Sequence, residues 1–359
     1  MTVNQDTLAK EAIALLKQLI SIPSFSQEED ETAEAIDAWL KKFGVETKRQ
    51  YNNIYAFNKY YDESKPNLLL NSHHDTVKPN SAYTKDPFNP HEEDGKLYGL
   101  GSNDAGGCLC SLLATFVHFY ERDDLSYNII MSATAEEEDA GELSISALLP
   151  ILPAIELAIV GEPTLMQLAI AEKGLIVYDG KVSGTPSHAA HPNDNNSIYN
   201  TIEVLEWFKN YRFSKVSDVL GPVKMTVTQI KAGSQHNVVP AHVDLVIDTR
   251  VNDCYTNEQI NAILQNEAPC ELVPRSLDKS SSAIAIDHPL VKSGIALGRE
   301  TYGSPTLSDQ TELSCQSLKL GPGDSTRSHS ADEYIHVYEI EEGVDLYIKI
   351  LESFLTKQI

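Results

Sequence analysis

Four short apolar runs, each passing straight into a cluster of polar residues, constrain this chain more than any other feature. Leu68-Leu69-Leu70 leads into Asn71-Ser72-His73-His74-Asp75. Ile129-Ile130-Met131 leads into Thr134-Ala135-Glu136-Glu137-Glu138, Ile159-Val160 into Gly161-Glu162-Pro163-Thr164, and Leu318-Lys319-Leu320 into Gly321-Pro322-Gly323-Asp324 and on to His329. Runs of this length and composition read as buried strands. Helical spacings lie between several of them, so the pattern predicts an α/β fold, a mixed sheet of parallel character flanked by helices. In such sheets ligands bind beyond the carboxyl ends of the strands. Four strand ends would therefore bring histidine, aspartate and glutamate to one rim.

Elsewhere the spacing of Leu8, Ile13, Leu16 and Ile20 predicts a helix over residues 6–20, stopped by Pro23, and a second helix runs over 30–43 to Gly44. Residues 177–278 read differently: strand, helix (197–211), strands (224–231 and 243–250), helix (257–265), strand (271–274). This β-α-β-β-α-β order is ferredoxin-like. We read it as an α+β domain inserted into the α/β domain, which gives residues 1–176 and 279–359 as the two parts of a catalytic domain.

Acidic residues outnumber basic ones 52 to 28, a formal charge of -24. That balance disfavours nucleic acid and anionic membrane as partners. The five cysteines have no disulfide-like spacing and fit reduced thiols of a cytoplasmic protein. The chain shows neither an amino-terminal signal sequence nor an unbroken apolar span of about 20 residues.

Imidazole and carboxylate together suit zinc and similar divalent ions. Two histidines and three carboxylates could hold two ions if one carboxylate bridges them, an arrangement that serves hydrolysis. Adjacent Glu137 and Glu138 point in different directions, so one could ligate metal while the other handles protons. The His73-x-Asp75 spacing fits a carboxylate that orients a ligating imidazole. An acidic run such as Glu136 to Asp139 is otherwise a solvated helix face, and a single histidine is more often a satisfied loop or core residue.

Taken together these segments resemble the co-catalytic zinc deacylase and carboxypeptidase family. Ser72-His73-His74-Asp75-Thr76-Val77 is similar to its H-x-D-x-V segment, and Asp94-Gly95-Lys96-Leu97-Tyr98-Gly99-Leu100-Gly101-Ser102-Asn103-Asp104 to the stretch ending in a bridging aspartate. Thr134 to Glu138, Gly161-Glu162-Pro163-Thr164, Ser187-His188-Ala189-Ala190-His191-Pro192 and Gly321-Pro322-Gly323-Asp324 to His329 and Glu333 follow in the family's order. The resemblance implies that His73 and Glu162 bind one zinc, that Glu138 and His329 bind a second, and that Asp104 bridges them. It implies Glu137 as general base and acid, Asp75 as the partner of His73, and His188 as a lid histidine reaching the substrate oxyanion from a partner subunit. Asn237 and Arg250 match positions that contact substrate; the plain alternative for Arg250 is a surface ion pair. Two zinc ions are the implied cofactors, with cobalt or manganese as substitutes. The inserted domain would be the lid and the dimerisation element of a homodimer.

Three departures stand out. Ala105-Gly106-Gly107 replaces the family's Met-Lys-Gly, Glu136 stands where aspartate is usual, and His74 sits beside His73, where only His73 keeps the spacing to Asp75. The resemblance is nearest to the acetylornithine deacetylase branch. It implies hydrolysis of an N-acetyl or N-succinyl amino acid, ornithine or citrulline, in arginine biosynthesis. Desuccinylation in the lysine pathway, an N-acyl-lysine deacylase or a dipeptidase are the alternatives, and a zinc-stabilised binding protein without turnover is the reading outside the enzymes.

Overall fold

The computed structural model describes residues 4–356, and the chain divides into two compact units. The first takes in the chain up to Ile170, Ala283–Tyr302, and the chain from Ser308 onward. The second is Ala171–Ser282 together with Gly303–Leu307, a short segment that no sequence pattern marks.

In the first unit the centre of the sheet is parallel. Strand β1 (Asn67–His73) lies between β2 (Asn128–Thr134) and β3 (Leu157–Val160), and β4 (Gln316–Lys319) continues beyond β3, all in the same direction. Antiparallel strands flank this centre: Asn53–Phe57 beside β2, and Leu168–Glu172 beside β4. Because β1 is followed on one side by β2 and on the other by β3, the strand order reverses there, which opens a crevice beyond the carboxyl ends.

Each parallel strand is buried on both faces, which is why the apolar runs are continuous rather than alternating. Leu68, Leu70, Ile129, Met131, Ile159 and Leu318 pack on one side in a core shared with the helices Gln5–Ile20, Gly107–Phe119 and Val337–Leu355. Leu69, Ile130 and Ala158 face the other way, onto Ile145, Leu148 and Leu152. The two predicted amino-terminal helices span Gln5–Ile20 and Asp30–Lys42. The second ends where Gly44 takes a φ of +74°, a left-handed conformation suited to glycine.

In the second unit, strands Lys224–Ala232, His242–Val251, Gly174–Ser183 and Glu271–Pro274 pair in that order, every neighbour antiparallel. Helices Ser197–Asn210 and Asn257–Glu267 supply Val204, Phe208, Ile260 and Leu264 to its own core with Ile176, Tyr178, Leu245 and Ile247. This is the ferredoxin-like arrangement expected from the element order. The other sheet face is open, since alternate residues of Gly174–Ser183 and His242–Val251 are only partly buried or exposed. Among the described residues no helix is long and apolar enough to cross a membrane, and all five cysteines are unpaired.

Candidate active site

All six residues assigned above to metal binding and proton transfer, together with Asp75, lie in the first unit, and the structure gathers them at the carboxyl ends of the parallel strands. His73 is the last residue of β1 and is fully enclosed. Its Nδ1 lies 3.0 Å from the backbone oxygen of Asp75 and 3.3 Å from the carboxylate. The Asp75 main chain is thus the nearer partner, where the spacing had pointed to the side chain alone. With Nδ1 engaged, Nε2 faces Asp104 Oδ1 at 3.5 Å and Glu162 Oε1 at 3.8 Å.

Asp104 has a second face. Its Oδ2 lies 3.7 Å from Nε2 of His329, which in turn is 3.0 Å from Glu138 Oε2. One carboxylate therefore looks with one oxygen at His73, which also neighbours Glu162, and with the other at His329, which also neighbours Glu138. Ligand atoms of His73, Asp104 and Glu138 all fall within 4.8 Å of one another.

Local structure explains how these groups are presented. Asp104 sits in the kinked segment Ser102–Gly106, ahead of the helix Gly107–Phe119. The N–H groups of Gly101, Asn103 and Asp104 all donate to the buried Glu333 carboxylate at 2.9–3.2 Å. The loops after β3 and β4 are joined where Thr164 N–H donates to the Gly321 carbonyl and Gly321 N–H to the Thr164 hydroxyl, both at 3.1 Å. Gly323 adopts a φ of +89°, and a Cβ there would meet Asn103 Oδ1 at 2.5 Å, so the turn into Asp324 requires glycine.

Two neighbours of these residues, His74 and Glu136, point elsewhere. His74 turns away: its Nδ1 lies 2.9 Å from the Thr32 hydroxyl and its Nε2 3.0 Å from the Asn52 carbonyl, and burial pulls its pKa down to about 4. Glu136 also turns away, accepting the Leu143 N–H at 3.0 Å, and leaves Glu138 to face His329.

The electrostatics are those of carboxylates crowded into an enclosed space. Burial, reinforced by the Asp104 charge, raises the Glu162 pKa to about 8. Burial likewise lifts Glu137 well above the carboxylate range, with Glu162, Asp309 and Glu138 adding to the rise. The His329 pKa reaches about 9, chiefly through its hydrogen bond to Glu138. For His73, burial works against the charged form, but Asp104 and Asp75 outweigh it and raise the pKa well above normal. Deprotonated carboxylates and neutral imidazoles at these positions would need cations to balance them. The donor set of imidazole nitrogen and carboxylate oxygen, with one carboxylate facing two ways, fits a pair of divalent ions.

Asp309 was not visible to the strand-end argument, because Asp309–Glu312 follows no apolar run. It is buried, and its Oδ2 accepts from Asn71 Nδ2 at 2.7 Å and Thr134 Oγ1 at 2.8 Å, fastening together the ends of β1 and β2.

His188, Asn237 and Arg250 belong to the second unit. His188 pairs with Val238 in a two-residue ladder, and the Asn237 carbonyl accepts the Ala189 N–H, so His188 and Asn237 come from adjoining positions. The His188 Nδ1 accepts the Ala190 N–H at 3.1 Å. Arg250 forms a two-pronged pair with Asp248, at 2.9 and 3.0 Å. Its guanidinium is thus already matched to a carboxylate on its own strand.

Residues 69–353 match the family described as Peptidase family M20/M25/M40. A succinyl-diaminopimelate desuccinylase of Rickettsia bellii (strain OSU 85-389) is 26% identical over 378 residues, covering 95% of this chain and 96% of that protein. An acetylornithine deacetylase of Photorhabdus laumondii subsp. laumondii is 28% identical over 381 residues, covering 95% and 97%. Among solved structures, the aminopeptidase PepT of Bacillus cereus superposes with a TM-score of 0.76 at 16% identity, over 99% of this chain and 100% of that one. A dinuclear metal-binding peptidase of Bacillus subtilis superposes with a TM-score of 0.73 at 14% identity, over 96% and 98%.

Proposed function

The chain belongs to the M20/M25/M40 peptidase family and is a hydrolytic enzyme, and from that premise we propose that it uses two divalent ions, zinc in the first instance, to hydrolyse the amide bond of an N-acyl amino acid. The observation that carries this reading is Asp104, whose two oxygens face two histidines, each of which lies beside a further carboxylate, with the half-buried Glu137 next to them.

His73 and Glu162 would hold one ion, Glu138 and His329 the other, and Asp104 both. When bound, the ions would acidify a water and polarise the acyl carbonyl. Glu137 takes the proton as the water oxygen adds to the carbonyl carbon. As the carbon–nitrogen bond breaks, Glu137 returns that proton to the leaving amine, giving a free carboxylate and a free amino acid. His188 donates a hydrogen bond to the tetrahedral oxyanion, from the partner subunit of a homodimer formed through the ferredoxin-like unit. Asn237 contacts the substrate, and Arg250 takes its α-carboxylate by exchanging its Asp248 partner for the incoming one.

The acetylornithine deacetylase relative favours an N-acetyl amino acid of the ornithine or citrulline type, and with it a cytoplasmic role in arginine biosynthesis. The desuccinylase relative, similar over the same share of the chain, supports an N-succinyl substrate as a second reading. Turnover of N-acetyl and N-succinyl forms of ornithine, citrulline, lysine and diaminopimelate, alongside dipeptides, tests both. Preferred cleavage of a dipeptide over every N-acyl amino acid would overturn them.

A further inference from the structure

The two histidines of the site are held by very different means. His73 is buried at the end of a central strand. His329 lies in a loop, with its side chain 55% exposed and a left-handed φ of +57°. Its side chain contacts Glu138 and Asp104, the groups it would share a metal with, and its carbonyl accepts a single exposed hydrogen bond from Asn80 Nδ2 at 3.3 Å. A histidine so exposed needs some other part of the chain to keep it in place.

Arg327 supplies that anchor. Its guanidinium meets Glu339 with both nitrogens, Nη1 to Oε2 at 2.7 Å and Nη2 to Oε1 at 3.0 Å, and the two side chains are only 14% and 7% exposed. The same guanidinium lies over the Tyr334 ring, 4.8 Å from its centre. Glu339 stands in the first turn of the helix Val337–Leu355 and also accepts the His336 N–H at 3.0 Å. That helix is bedded in the core through Ile340, Val344 and Tyr347. On the other side, the Arg327 carbonyl accepts the Ser330 hydroxyl at 2.6 Å. The residues on either side of His329 are thus tied to each other, and through one buried ion pair to a core helix.

We propose that the Arg327–Glu339 pair is the positioning clamp for His329, and that it sets the affinity of the metal position made by His329 and Glu138 without setting that of the position made by His73 and Glu162. A two-pronged arginine–carboxylate pair fixes orientation as well as distance, which lysine cannot reproduce. The inference rests on the two-metal reading above.

The test is a titration of the metal-free full chain with zinc, read by equilibrium dialysis, for the wild type, Arg327→Met, Glu339→Gln and the double variant Arg327→Met/Glu339→Met. Removing one partner leaves the other charge buried and unpaired, so each single variant loses thermal stability, while the double variant regains much of it. If the pair only supports folding, zinc binding recovers with stability in the double variant. If it positions His329, all three variants keep one zinc at wild-type affinity and bind the second roughly 10- to 100-fold more weakly. Two zincs at wild-type affinity in the double variant, or equal weakening of both, overturn the clamp while leaving the two-metal reading intact. A wild-type chain that takes up fewer than two zincs overturns both.

Discussion

The Asp75 carboxylate holds Glu137 by its backbone: Oδ1 accepts the Glu137 N–H at 3.1 Å, while Oδ2 accepts the next N–H, that of Glu138, at 3.0 Å and the Ser26 hydroxyl at 2.7 Å. A residue whose spacing marks it as a companion of His73 thus also fixes the backbone of Glu137 and Glu138, the glutamates proposed for proton transfer and metal binding. Asp75→Asn keeps the volume but can offer only one acceptor oxygen to the two N–H groups. Its kcat is expected to fall roughly 10- to 100-fold, with a weaker second metal. Unchanged kcat and metal affinity would show that the loop holds itself.

Glu137→Ala should separate chemistry from metal binding. General acid–base catalysis contributes roughly 100- to 10,000-fold, so turnover should drop by that order while bound metal, measured by elemental analysis, stays at the wild-type level. Near-normal turnover would remove Glu137 from the reaction.

Stability of the metal-free protein should fall as pH rises. Glu162 and Glu333 are each lifted by burial from 4.5 to about 8. A group with a raised folded pKa contributes fully below its unfolded value, and that contribution is lost as pH climbs through the folded one. His329, raised from 6.5 to about 9, acts in the same direction. Melting temperatures of the metal-free chain should therefore decline between pH 6 and pH 9, and zinc should stabilise more at pH 8 than at pH 6, because its ligands must be deprotonated. A flat or rising profile contradicts this.

Leu69 packs from β1 onto the layer containing Ile145 and Leu148, with no exposure. Leu69→Ala should cost about 2–5 kcal/mol in denaturant unfolding. A loss of well under 1 kcal/mol would mean that this layer closes over the gap.

If His188 acts across a dimer, Glu137→Ala and His188→Ala chains, each inactive alone, should regain activity when mixed and allowed to exchange subunits. Verified mixed dimers that stay inactive would place His188 within its own subunit's chemistry or outside it altogether.

Much of the site was legible because strand ends are legible. An apolar run such as Leu68–Leu70 announces its own end, and in a parallel sheet that end is where ligands gather; His73, Glu162 and the Glu137–Glu138 pair follow directly, the division of roles within that pair coming only from the resemblance. His329 lies farther along the loop after the fourth strand, in a left-handed conformation, whereas Asp104 sits in a kinked segment that no periodicity marks, and only the similarity of whole motifs pointed to it. Asp309 and the Arg327–Glu339 pair escaped because they act through contacts between distant segments: Asp309 meets Asn71 and Thr134 from far along the chain, and nothing local distinguishes it from a surface aspartate. The ferredoxin-like order was readable because its strands alternate over one packed face. Gly303–Leu307 was not, being a return segment too short to carry a pattern.

Because His329 comes after the ferredoxin-like unit while His73, Asp104, Glu138 and Glu162 precede it, the ribosome releases the parts of the site unequally. The nascent chain has one histidine and its carboxylates early, and must build an entire second unit before the other histidine emerges. Any product that stops short of that loop would carry a half-made centre, so a complete set of candidate ligands also certifies that translation has passed the whole ferredoxin-like unit.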